Sequence, residues 1–294
     1  MSPDLIFFLS LVIKMVVTAL FVVGATFLAE RAGPVVGAMV ATLPVSAGPA
    51  YIFLSLDHGP DFIADSALAS LVINGVTCVF ALVYSLLAQR RGLLLSVAPA
   101  LAVWAVLASI ARALPWTTAT AFAFNVAVLA GCLAVGNRLR HARMPLMVRR
   151  PYDIPLRAGM VALLVATVVG LSTHVGPTIT GIIAVFPIVL LSLMLILHPR
   201  IGGPATAAVL SNSMLGLVGF SCSCLTARLA VPVLGTAAGL SLALAVSIGC
   251  NLAFWWIRRH KPLPAAHDPE KACPGLDPGL PDFSDKIMRK NKML

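Results

Sequence analysis

Nine apolar runs of 18 to 27 residues follow one another through most of the chain: 5–28, 33–56, 62–88, 93–111, 116–137, 156–173, 176–197, 204–228 and 233–257. A helix crossing a ~30 Å hydrocarbon layer needs about 20 mostly apolar residues. Inside lipid, helices and closed barrels are the structures that satisfy their own backbone. The runs therefore predict an all-α integral membrane protein with about nine transmembrane helices. Prolines within them are no veto, because neighbouring helices can satisfy the carbonyls they free. Composition agrees: 59% of the 294 residues are hydrophobic and 11% charged, against about 25% charged in soluble domains. Asp4 in place of a basic leader and Lys14 within the first run argue against a cleavable signal, so 5–28 is expected to stay as a span.

The net charge of +10 does not point to nucleic acid, since the basic residues lie in short loops beside the runs and in a tail. With the N-terminus outside, the inner loops hold Arg31, Arg90, Arg91, Arg138, Arg140, Arg143, Arg149, Arg150, Arg157, Arg200, Arg258, Arg259 and Lys261. The outer loops then hold Arg112 and Arg228 beside Asp57, Asp61 and Asp65. Cytoplasmic loops carry the excess of Lys and Arg, so the topology is N-out/C-in, multi-pass, in a cell inner (plasma) membrane. Trp116 falls at an outer interface and Trp255 and Trp256 at an inner one, where aromatic belts form.

One sequence feature is written twice. Gly33–Pro44, GPVVGAMVATLP, is echoed by Gly176–Pro187, GPTITGIIAVFP, with Ala41 and Ala184 at the ninth place. Gly59-Pro60 and Gly203-Pro204 follow at nearly equal distances. An internal duplication of five helices plus four results, and the odd first count inverts the second repeat. The division is 1–137, first repeat; 138–155, basic cytoplasmic linker; 156–260, second repeat; 261–294, a tail of Pro, Lys, Asp and Gly expected to be disordered. Similarity of Ala130-Gly131-Cys132 to Ile248-Gly249-Cys250 pairs helix five with helix nine and makes helix four the additional one.

Pro44 and Pro187 each fall about eleven residues, ~16 Å, into their runs, near the bilayer midplane. Each removes a helical hydrogen bond. Matched breaks in oppositely directed helices are how many secondary transporters build a central site, whereas a single Pro commonly sets only a packing kink. Lys14 is a formal charge deep in a span, where ionisable groups face the protein interior and mark function, unless the long stem snorkels outward. Asn74, Asn125 and Asn212 are intramembrane amides, whose ordinary role is bonding between helices. The candidate transport site is Lys14, Pro44, Pro187, Asn74 and Asn212.

Five of the six cysteines lie in apolar runs, where a thiol is a small hydrophobe. Cys222-x-Cys224 lacks the second ligand pair of a zinc site. His174 and His198 fall at helix ends. Walker loop, H-E-x-x-H and nucleophile elbow are all missing from the sequence, so neither enzyme, cofactor nor metal site is expected.

Gly181, Phe186-Pro187 and the long apolar runs after them, over Gly176–Arg259 and more faintly over Gly33–Ala88, resemble the small GlpM-type bacterial inner-membrane proteins. Those are about four helices long, with a Gly-then-Pro second helix leading through a short loop into a third. The resemblance implies a fused pair of such units and an association with exopolysaccharide (alginate) production. The additional helix departs from a four-plus-four fusion.

The expected function is that of a secondary transporter or exporter with a central site between inverted repeats. The alternative is a non-transporting scaffold or accessory subunit of an envelope or exopolysaccharide machinery. Expected partners are the lipid bilayer, anionic lipid headgroups at Arg138–Arg150, and either a homo-oligomer or an envelope-complex subunit. Single cysteines placed at positions 58 and 174 of a cysteine-free chain are predicted to react with an impermeant maleimide from outside, and those at 31 and 200 only from inside. Internal labelling at 174 would break the inverted arrangement.

Overall fold

A computed structural model describes residues 3–31, 47–139 and 152–259. The described part is helical, without strands: α1 Pro3–Arg31, α2 Ala47–Asp57, α3 Pro60–Leu87, α4 Leu93–Ala113, α5 Thr118–Gly136 with a 3-10 turn Asn137–Leu139, α6 Asp153–Ala184, α7 Ile188–Ile201, α8 Gly203–Leu234 and α9 Thr236–Arg259. The first copy of the repeat, Pro44 included, lies outside the described residues, as do 140–151 of the linker and the tail from 260. Among the described residues seven stretches are long and apolar enough to span a membrane, which makes the chain a multi-pass membrane protein. One of them, Asp153–Ile201, has 49 residues, about 73 Å of helix, and must turn back on itself. The helical contacts form a body, Met1–Phe254, and a second unit from Trp255 on.

Contacts at more than one level fix the direction of the main helices of the body. One end of the bundle carries Asp57, His58 and Asp65; the other carries Ala88, Arg91 and Arg200. Asp65 bonds Arg228, Asn74 bonds the carbonyl of Leu217, and Ala88 meets Gly203. α3 and α8, the helices that begin at the two Gly-Pro steps, thus run antiparallel. Ser172 bonds His58 at the first end, while Asp153 bonds Arg200 at the other. From Pro177 the chain returns, Ser66 and Ser70 bonding the carbonyls of Pro177 and Gly181. α6 is therefore two antiparallel helices joined at Gly176.

That reversal uses one residue, and the same device recurs. Gly176 (φ 73°, ψ 174°), Gly202 (φ 81°, ψ 165°) and Gly235 (φ 80°, ψ 165°) link consecutive helices with nearly the same dihedrals. A Cβ excludes other residues from this region. The sequence reading put an ordinary loop between helices at 174–175; a single glycine hinge replaces it. A second departure is the break at Val185–Pro187, which divides the expected 176–197 helix into Pro177–Ala184 and α7.

The pairing of helix five with helix nine does not hold in direction. Asn125 bonds the carbonyl of Leu71 and the later Val128 lies against the later Gly75, so α5 runs parallel to α3. α9 runs antiparallel to α8, with Gly239 against Val231 and Asn251 against Gly219. The helix that returns after α3 is α4, so α4, not α5, shares with α9 an antiparallel course to the helix before it. A local Gly-Cys likeness is weaker evidence than chain direction.

α3 is the central helix: 72% of its spanning window is buried, against 17% for α1. Its serine face lies almost on the backbone of the Pro177–Ala184 half-helix, where a Cβ on Gly181 would stand 2.2 Å from the Ser66 carbonyl oxygen. Gly181→Ala is predicted to destabilise the bundle by about 1–3 kcal/mol through overpacking. Gly170→Ala, with the Leu11 methyl 4.0 Å away, should leave stability unchanged. Thermal melting of both variants in detergent checks the contrast.

Candidate functional site

Of the residues expected to form one site, Pro44 lies outside the described residues and the other four are dispersed. Lys14 pairs with Asp57 at 2.5 Å, at the end of the bundle that also holds the His58–Ser172 hydrogen bond. Thr18, one turn on, bonds the Lys14 carbonyl. The ammonium is thus neutralised at one end rather than held free at the centre. Asn212 is equally local, its amide donating to Ala208 on its own helix.

Pro187 does lie at a backbone discontinuity. Val185 ends one helix and Pro187 (φ −74°, ψ 44°) caps the next. The ring fixes φ and withholds a donor, and the residue before Pro is pushed out of helical geometry. The break is braced from the side: Trp104 Nε1 donates to Thr77 Oγ1 (3.2 Å), and Thr77 donates to the Val185 carbonyl (3.4 Å). The Trp104 ring meets Phe186 edge-on at 5.1 Å.

Asn74 belongs to a buried network at the crossing of α3, α5 and α8. Its Nδ2 donates to the Leu217 carbonyl (2.9 Å) and to Ser221 Oγ (2.7 Å). Ser221 donates in turn to Asn125 Oδ1 (2.7 Å), and Asn125 Nδ2 to the Leu71 carbonyl (2.6 Å). Asn74 Oδ1 is buried without a hydrogen-bond partner. One turn away, Tyr51 Oη and Ser70 Oγ are bonded at 2.7 Å, and Ser70 donates to Gly181. Ser70, Tyr51 and Ser221 were not singled out from sequence. The signal was there, since Ser66, Ser70, Asn74 and Thr77 are spaced along one helical face.

Tyr51 also marks the edge of a cavity of about 330 Å³ between α2, α8 and α9. Its floor is small and buried, including Ala67, Cys224, Ala227 and Ala243. Among the described residues no charged side chain lines it. It lies in the half of the bundle nearer Asp57, because Ala227 precedes Arg228 and Ser55 is two residues from Asp57.

Polar contacts at both ends join segments from before and after the linker. Asp65–Arg228 (2.5 Å) and His58–Ser172 (2.8 Å) do so at one end, and Tyr84–His198 (2.6 Å) at the other. Among the described residues no three His, Cys, Asp or Glu side chains converge as metal ligands would. No protein-family model, curated protein or solved structure matches the chain.

Asn74→Ala is predicted to lower stability by about 0.6–1.7 kcal/mol, the range for hydrogen bonds between membrane helices. Asn212→Ala, whose bond stays within α8, should cost less than Asn74→Ala. Unfolding of the two variants in mixed micelles by denaturing detergent ranks them, and equal losses would put the network outside the structural core.

Proposed function

We propose that the protein is a secondary transporter or exporter of the bacterial inner membrane, with two repeats of inverted topology that rock against each other. The observation that carries this reading is the break at Val185–Pro187, a discontinuous helix packed against the central α3 and against Trp104 of α4. Discontinuous helices meeting near the midplane are the usual core of inverted-repeat carriers. The antiparallel course of α3 and α8, each opening on a Gly-Pro step, supports the inversion. The cavity beside Tyr51 supplies a volume in the range of ligand sites, about 300–1,000 Å³.

The end contacts suit alternating access. Each is a small polar latch between the segments before and after the linker, and each is weak enough to exchange: the exposed Asp65–Arg228 ion pair contributes about 0–1 kcal/mol and the Tyr84–His198 hydrogen bond about 0.5–1.5 kcal/mol. In this state both latches are closed, Asp65–Arg228 at one end and Tyr84–His198 at the other. Lys14 and Asp57, joined within the first segment, serve as a coupling pair whose charges separate when a proton or an ionic substrate intervenes.

Spin labels at positions 65 and 228, and in a second sample at 84 and 198, test the reading without knowledge of a substrate. Pulsed dipolar spectroscopy in liposomes is expected to show two distance populations at each end, moving oppositely when an imposed pH gradient is reversed. One fixed distance at both ends would overturn transport and leave the scaffold role, with its link to GlpM-type proteins and exopolysaccharide assembly.

A further inference from the structure

We propose that the cavity between α2, α8 and α9 is a lateral binding site for the hydrocarbon chain of a membrane amphiphile, entered from the lipid side between α2 and α9. The inference rests on the cavity and on the chain's being a membrane protein; it stands whether or not the bound molecule is carried across.

The cavity is a place where helices fail to close. Elsewhere α8 and α9 use small residues to come into backbone contact, a Cβ on Gly239 being 2.7 Å from Val231. Small residues normally permit such approach in lipid. Around Ala67, Ala227 and Ala243 the same kind of residue faces an opening of about 330 Å³ instead. A volume of that size, if left dry, would forfeit the dispersion contacts of its whole lining. An occupant restores them.

The polar atoms of the wall decide what the occupant is. Tyr51 is bonded to Ser70, Ser55 donates to Ile52 of its own helix, and Ser241 donates to Ala237. Ser223 is the lining hydroxyl left over. A sugar or amino acid entering here would surrender its bonds to water and find in exchange only the lone pairs of a few hydroxyl oxygens in an otherwise apolar lining. A methylene chain surrenders nothing.

The mouth decides the source. Ile52 on α2 and Leu244 on α9 are 56% and 46% exposed and form its apolar rim. Leu244 faces outward on a helix long and apolar enough to span the membrane, so the rim meets acyl chains rather than water. At one end the walls run into charge, Arg228 directly after Ala227 and Asp57 just beyond Ser55, each already ion-paired. A headgroup belongs at that end, its chain in the apolar volume.

The test uses the full chain in nanodiscs containing a phosphatidylcholine with a diazirine at mid-chain, followed by photolysis and peptide mass spectrometry. The expected result is adducts on the buried floor, Cys224 and Ala227, as well as on the rim. Ala227→Phe should remove the floor adducts and keep those at Ile52. Should that variant not fold, Ala237→Phe at the mouth is read in the same way. Adducts confined to outward positions such as Leu229 and Val233 would overturn the proposal. Floor labelling by a water-soluble diazirine but not by the lipid probe would also overturn it, assigning the cavity to an aqueous solute. The transport reading is tested separately by the end-to-end distances, so either can fail alone.

Discussion

The contact on which the bundle depends is the approach of α3 to the backbone of its neighbours. Lipid tails are as apolar as leucine, so burial from water cannot hold helices together inside the membrane; close packing and hydrogen bonds must. α3 supplies both. Gly181 lets one half-helix ride on the Ser66 carbonyl, and Gly203 lets the start of α8 touch Ala88. Once the backbones are that near, Ser66, Ser70 and Thr77 reach carbonyls across the gap. The hydroxyls and the glycines are therefore one device: without a glycine the hydroxyl is too far away, and without the hydroxyl the exposed carbonyls at the break lose their partner.

The class of structure was legible because it follows from a single quantity, the length of uninterrupted apolar sequence. The Gly-Pro landmarks were legible as helix starts for the same local reason, since Pro lacks the N–H that a first turn leaves unbonded. Pro187 was legible as the loss of one helical hydrogen bond, whereas the structure ends one helix at Ala184 and starts another after Pro187. Its bracing by Trp104 and Thr77 was not readable, because these residues stand far from it in the chain and a sequence does not state pairings. The α3 stripe from Ser66 to Thr77 was readable and went unread, because isolated Ser and Thr in apolar runs carry little weight until their spacing is compared.

Lys14 shows where a sequence argument reaches its end. Depth in an apolar run suggested a central, functional charge, yet depth counted from a helix start does not say which helix end a neighbour brings alongside. Asp57, at the close of α2, lies within reach and takes the charge. Of the five residues first grouped as a site, Pro44 lies outside the described residues; the other four separate into an end pair (Lys14), a braced break (Pro187), a buried amide network (Asn74) and Asn212 bonded to its own helix. The cavity belongs to none of them, and its signature is the small side chain, the feature least conspicuous in a sequence rich in Ala and Gly.

The glycine hinges carry a consequence for how the second half can vary. Gly176, Gly202 and Gly235 leave no loop residues between successive helices, so at these turns there is nothing to lengthen, splice or cleave without unwinding a helix. Tags, proteolytic sites and evolutionary insertions therefore have no room at these three turns, and a soluble partner reaching them meets helix ends rather than loops.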